Sequence, residues 1–243
     1  MNPTYIYGVI RSDAAVPEDL VGLGPSGEVE MISHGDLTAL VSDVPMDRPL
    51  GTRDDLFAHE RVVDTVAASA TVLPMRFPAV VERHAVVDEL LAPHHDHLAA
   101  VLDDLDDRVQ YTLKGRYEQD VVLREVLADD PEIRELQERV RELPEDASYY
   151  DRVRLGELIV EELQARRDEE GAVLVERLAP EAAAVVANTL AAPDDVVNAA
   201  FLVERSHQQR FEDSVEKLGA ELAGRIRLRL LGPLAPYDFV PEE

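Results

Sequence analysis

One order of extended and helical segments occurs twice along this chain, and that repetition restricts the fold more than any single motif. The first copy opens with Tyr5-Ile6-Tyr7-Gly8-Val9-Ile10, an aromatic and β-branched run that predicts a strand. A loop with Pro17, Gly22, Gly24, Pro25 and Gly27 follows, and then Glu28 to Ile32 and Leu37 to Val41 read as a hairpin around Ser33-His34-Gly35-Asp36. Thr52 is placed to cap a helix, with Asp55 three residues on to close a capping box. Leu56, His59, Val63 and Val66 fall on one face of that helix. Thr71 to Phe77 reads as a further strand, whose Pro74 points to an edge or a bulge. An amphipathic helix from about Val86 to Leu105 closes the copy.

The second half repeats the order. Val109, Tyr111 and Leu113 alternate with polar residues along a strand from Arg108 to Tyr117. A long acidic helical stretch comes next. It includes a helix opened by Asp130-Pro131, with Ile133, Leu136, Val140 and Leu143 on one stripe, ended at Leu143-Pro144-Glu145-Asp146, before a second helix capped by Ser148. Ala184 to Leu190 and Val196 to Glu204 read as strands. Ser206 opens a helix with Gln209 at the capping-box position and Phe211, Val215, Leu218 and Leu222 as its buried stripe; Gly224 ends it. Ile226, Leu228 and Leu230 then alternate with three arginines along a last strand.

Strand, crossover, two strands, helix, strand is the ferredoxin-like βαββαβ order. The expected fold is therefore α+β: two ferredoxin-like domains, residues 1–106 and 107–243. The second would carry an inserted acidic helical segment at about 120–180 and a proline-rich tail. In the first copy, Ser12 to Leu23 leaves room for only a short crossover helix.

Composition narrows the function. The 243 residues carry 50 acids against 24 lysines and arginines, a formal charge of −26, which opposes nucleic acid as a partner because phosphate binding needs concentrated positive surface. With 46% hydrophobic content, the longest apolar run, from Ala182 past Val186, is broken at Asn188 and Thr189, too short to span a bilayer. Met1 to Tyr5 carries no positive segment followed by an apolar core, so no signal peptide is expected, and zero cysteines exclude disulfides, thiolate zinc sites and cysteine nucleophiles. A cytoplasmic location is expected.

No motif resolves into catalysis. Gly22-Leu23-Gly24-Pro25-Ser26-Gly27 spells the dinucleotide fingerprint, but an alternating, acid-bearing segment follows where a helix amino terminus should meet a pyrophosphate. A glycine-rich turn is the simpler reading. His94 and His97 form a helical pair that could grip a metal with a third ligand, yet no HExxH-type spacing exists and a polar helix face suffices. His59 sits on an apolar stripe as a core histidine with one hydrogen bond. Acid pairs such as Asp54-Asp55, Asp103-Asp104, Asp129-Asp130 and Glu161-Glu162 are expected by chance among so many acids. Ser206-His207 lacks a G-x-S-x-G elbow. Neither an enzyme nor a cofactor is expected.

One concentration of charge stands apart. Arg225, Arg227 and Arg229 share one face of the last strand, and Arg108, Lys114 and Arg116 share the polar face of the strand that begins the same half. Ferredoxin-like strand order makes those strands neighbours, gathering scarce positive charge on one sheet face. One reading is an internal dock for the acidic helices, which must pack somewhere; the other is a partner-binding site for an acidic surface.

Several segments resemble the gas vesicle protein L/F family: Tyr5-Ile6-Tyr7-Gly8-Val9, His59-Glu60-Arg61-Val62-Val63-Asp64, Thr71-Val72-Leu73-Pro74-Met75-Arg76-Phe77, Ala200-Phe201-Leu202-Val203-Glu204-Arg205, and the block from Arg225 through Gly232-Pro233-Leu234-Ala235-Pro236-Tyr237-Asp238-Phe239. The resemblance runs nearly end to end; in the acidic middle, Asp129 to Asp168, only helical character matches. It implies a non-catalytic accessory protein for gas vesicle assembly, associated with gas vesicles. Such a protein would bind the small hydrophobic major wall protein and other accessory proteins during shell nucleation or growth. The alternative is a ligand-binding regulatory module or enzyme with a pocket between two ferredoxin-like domains. The tail from Gly232 to Val240 is expected to pack back on the first domain or to lie free as a docking segment.

Overall fold

The computed structural model describes residues 3–23, 26–45, 48–144 and 147–241. Gly24 and Pro25 of the glycine-rich turn, and Glu145 and Asp146 after Pro144, lie outside the described residues. The fold is mixed α/β with two antiparallel sheets. By its contacts the chain divides into two compact units, of which the first takes residues through Tyr111, Leu202–His207 and everything from Leu231 onward.

The first unit is built on β1 (Pro3–Arg11), β2 (Glu30–His34), β3 (Leu37–Asp43) and β4 (Val72–Pro74), in the order β2-β3-β1-β4. β1 is central, and seven consecutive residues of it are buried. A register shift between Ile6 and Gly8 lets Tyr5 and Tyr7 face one side with Ile10, while Ile6 and Val9 face the other. Gly8 is required there, because a Cβ would stand 2.7 Å from the Leu73 carbonyl oxygen. The hairpin turn is two residues, Gly35-Asp36, with Gly35 at φ 61°; Ser33 and His34 belong to the strand.

Helix α1 (Arg53–Ala67) covers the Tyr5/Tyr7 side. The expected capping box is formed: the Asp55 N–H donates to Thr52 Oγ1, and the Thr52 N–H donates to Asp55 Oδ2. The helix phase differs from expectation. Leu56 is exposed, and the inward stripe is Asp55, His59, Val62, Val63 and Val66, because Arg48 and the capping contacts draw Asp55 inward.

Two further departures have local causes. The strand expected over Thr71 to Phe77 stops at Pro74; a cis Phe77–Pro78 bond follows, and β5 (Val80–Glu82) then pairs with the start of β1. The helix expected from Val86 to Leu105 is instead a π-helical turn at Val86–Leu91 and a separate α2 (His95–Asp104). Pro93, which has no N–H to donate, lies between them. Leu98, Val101 and Leu102 of α2 pack on the Ile6/Val9 side of the sheet.

The carboxy-terminal tail completes this unit. Ala235 is fully buried, its N–H donates to Asp64 Oδ1, and Phe239 and Val240 pack on the Ile6/Val9 side of the sheet.

The second unit, Thr112–Phe201 with Gln208–Leu230, holds most of β6 (Arg108–Tyr117), β7 (Ala184–Ala187), β8 (Asp195–Glu204) and β9 (Ile226–Leu234), ordered β7-β8-β6-β9. In both sheets the order, by appearance in the chain, is second, third, first, fourth. Among the described residues the first connection holds no helix in the first unit, whereas α3 (Gln119–Asp129), α4 (Pro131–Glu142) and α5 (Tyr149–Leu178) fill it in the second. Asp130 caps α4 as expected, accepting from the Glu132 and Ile133 N–H groups. Of its predicted stripe, Ile133 and Leu136 are buried and Leu143 is exposed. Ser148 precedes α5 without making a side-chain cap. α6 (Gln208–Glu221) buries Phe211, Val215 and Leu218, starting two residues later than expected, after a 3₁₀ turn at Arg205–His207.

Candidate functional site

The basic strand face takes its geometry from alternation. Gly115 points inward, where an added Cβ would meet Val197, Leu228 and Ile226. Its neighbours Lys114 and Arg116 on β6, and Arg227 and Arg229 on β9, therefore face the opposite way, and all four are exposed. Arg116 donates from Nε to Asp195 Oδ1 at 2.7 Å, and Arg227 bonds Glu118 at 2.5 Å. Of the six predicted positions, four thus share an open face.

The other two are used differently. Arg225 is half-buried, with two guanidinium nitrogens on Glu170 of α5 at 2.7 Å and Nε on Glu125 of α3 at 2.9 Å. The Tyr117 hydroxyl donates to the same Glu170, and the Arg225 guanidinium lies 5.8 Å from the Tyr117 ring centroid. Hydrogen bonds to Glu170 foremost, against the cost of burial, raise the Arg225 pKa; burial and the Glu170 charge raise that of Tyr117. Arg225 is thus an anchor between the sheet and two acidic helices. Arg108 falls in the first unit, where its guanidinium donates to the Asp104 carbonyl.

The other motifs resolve simply. The Gly22 N–H bonds the Gly27 carbonyl, Gly27 has φ 63°, and β2 follows rather than a helix, which does not fit the dinucleotide fingerprint. Among the described residues no three His, Cys, Asp or Glu side chains cluster to hold a metal ion. His59 makes two hydrogen bonds rather than one: Nδ1 with the Tyr5 hydroxyl at 2.8 Å and Nε2 with the Tyr237 hydroxyl at 2.9 Å. Burial pushes its pKa down to about 4. The second partner is 178 residues away, beyond the reach of any spacing rule. Among the described residues no helix is long and apolar enough to cross a membrane.

The profile of the family described as "Gas vesicle synthesis protein GvpL/GvpF" matches residues 3–241. The chain belongs to the GvpL/GvpF family. Gas vesicle protein F of Streptomyces sp. (strain CB03234) is 36% identical over 98% of this chain and 99% of its own length. Gas vesicle protein L of the same strain is 31% identical over 97% of this chain and 91% of its own. The fold agrees with that of the GvpF crystal structure from Anabaena sp. PCC7120, at a TM-score of 0.80 and 24% identity over 100% of this chain and 98% of that one. The GvpF crystal structure from Microcystis aeruginosa gives 0.76 at 22% identity, covering both chains fully. GvpL/GvpF membership gives the protein a role in gas vesicle formation, and its relatives are named as gas vesicle proteins rather than enzymes.

Proposed function

We propose that this GvpL/GvpF member is a non-catalytic accessory protein that binds the small hydrophobic wall protein and other accessory proteins during nucleation or growth of the gas vesicle shell. It would act in the cytoplasm, in association with the vesicle. The match to gas vesicle protein F along 98% of the chain carries this reading. The physics agrees: a wall subunit exposes apolar surface before it polymerises and needs a soluble partner to cover it or to order its addition.

We take each half as a ferredoxin-like domain, 1–106 and 107–243, a reading supported by the shared strand order. Helices α3 to α5 would be the acidic insertion of the second. The open face of Lys114, Arg116, Arg227 and Arg229 is the proposed contact for an acidic partner surface, with Arg225 holding the helices beside it. Arg108 stands with them in the proposal as the first residue of the same strand.

The test is a tagged pull-down of this protein co-expressed with the major wall protein and the accessory set. Specific capture of the wall protein is the expected result; capture of no member by a folded sample overturns the binding role. Lys114→Glu combined with Arg229→Glu should reduce capture of at least one member about tenfold or more, since like charge placed against an acidic surface costs several kcal/mol. Undiminished capture of every member removes the basic face from the proposal.

A further inference from the structure

Sheet edges are sites of unwanted pairing, and proteins guard them with charge, proline or short length. Four edges here are guarded. β2 carries Glu30, ion-paired to Arg83; β4 is three residues long and ends in Pro74; β5 is three residues long and ends in Glu82; β9 carries Arg227, Arg229 and Pro233. β7 is the exception. It ends the second unit's sheet with Ala184-Val185-Val186-Ala187, which has neither charge nor proline, and its first and last residues are exposed. Among the described residues no strand pairs with its outer side.

A cavity of about 460 Å³ opens beside this edge, between α5 and the β7–β8 pair. That size lies within the range of ordinary binding pockets. Ala172 and Val175 of α5 form one wall; Ala187, Leu190 and Val197 form the other.

We infer that β7 and this cavity together form a docking groove for an extended, apolar, neutral or basic peptide segment of a partner protein. The segment adds a strand outside β7 and places one aliphatic side chain between α5 and β8. Backbone pairing selects an extended segment, and alternate side chains set specificity. The chain's charge of −26, with Asp168 and Glu176 against the single cation Arg167 in the cavity lining, selects against acidic segments. The groove does not depend on the gas vesicle role, because a synthetic peptide reads it without any vesicle protein present.

The experiment uses the full chain and a short fluorescein-labelled peptide that alternates valine and threonine between two lysines, followed by fluorescence anisotropy. The expected result is saturable binding that weakens about tenfold or more, equivalent to ~1.4 kcal/mol, in Ala187→Lys, which guards the edge, and in Ala172→Leu, which fills the cavity. Both positions are exposed, and circular dichroism checks that both variants stay folded. The same peptide with alternate backbone nitrogens methylated should not bind. Absence of saturable binding to the wild type, equal binding of the methylated peptide, or unchanged binding by both variants each overturns the inference.

Discussion

Tyr237 and His59, 178 residues apart, are joined by a 2.9 Å hydrogen bond that pins the carboxy-terminal tail to helix α1. The far side of the same imidazole is held by Tyr5 of the central strand. A neutral imidazole has one N–H, so one tyrosine donates to the ring and the other accepts from it. The tail, the helix and the strand are thereby fixed through one buried side chain.

Replacing Tyr237 with phenylalanine keeps the ring and removes the hydroxyl. His59 Nε2 would then be left without its tyrosine partner in an almost fully buried side chain, a loss of about 1–3 kcal/mol. Urea denaturation should show the midpoint falling with an unchanged m-value. A midpoint equal to wild type would mean that the tail is held by packing alone.

The pH dependence follows from the same residue. Folding lowers the His59 pKa from 6.5 to about 4, so between those values the unfolded chain binds a proton that the folded chain does not. Stability is therefore lost as pH falls from 6.5 towards 4. From pH 7 to pH 5 the loss from this group is about 2 kcal/mol. His59→Gln should lack that increment when the two proteins are unfolded in urea at both pH values, and parallel pH profiles would refute it.

Arg225→Met tests the anchor of the acidic helices. Arg225 and Glu170 are each about a quarter exposed, so water can resolvate the carboxylates left behind, and the loss is limited to about 1–3 kcal/mol. Hydrogen exchange should quicken in α3 and α5 before it changes in α6. Adding Glu170→Met should cost less than its effect in the wild-type background, because the two residues share one interaction. Strict additivity would show that they act separately.

Much of the fold was legible where periodicity is long. β1, β6 and β8 announce themselves by β-branched and aromatic content, and the α1 start by Thr52 with Asp55. β5 was not legible, because three residues carry no period, and its pairing with β1 is decided by tertiary contact. The break at Pro93 was visible in the sequence, yet the apolar pattern on either side concealed it. The parity of the basic strands places Lys114, Arg116, Arg227 and Arg229 on one face, but spacing alone could not show that Arg225 reaches acids 55 and 100 residues away. Nor could it show the groove beside β7, which depends on where α5 comes to rest.

The nesting of the two units bears on how the protein is made. Everything in the second unit is encoded between Tyr111 and Leu231, both of which belong to the first. A ribosome therefore delivers the whole second unit before Ala235 can reach Asp64 and before Tyr237 can reach His59. Until then α1 and the central strand wait with an unfilled seat, so the amino-terminal unit, first to emerge, is the last to be sealed. Folding during synthesis would here run against the usual order in which the leading domain finishes first.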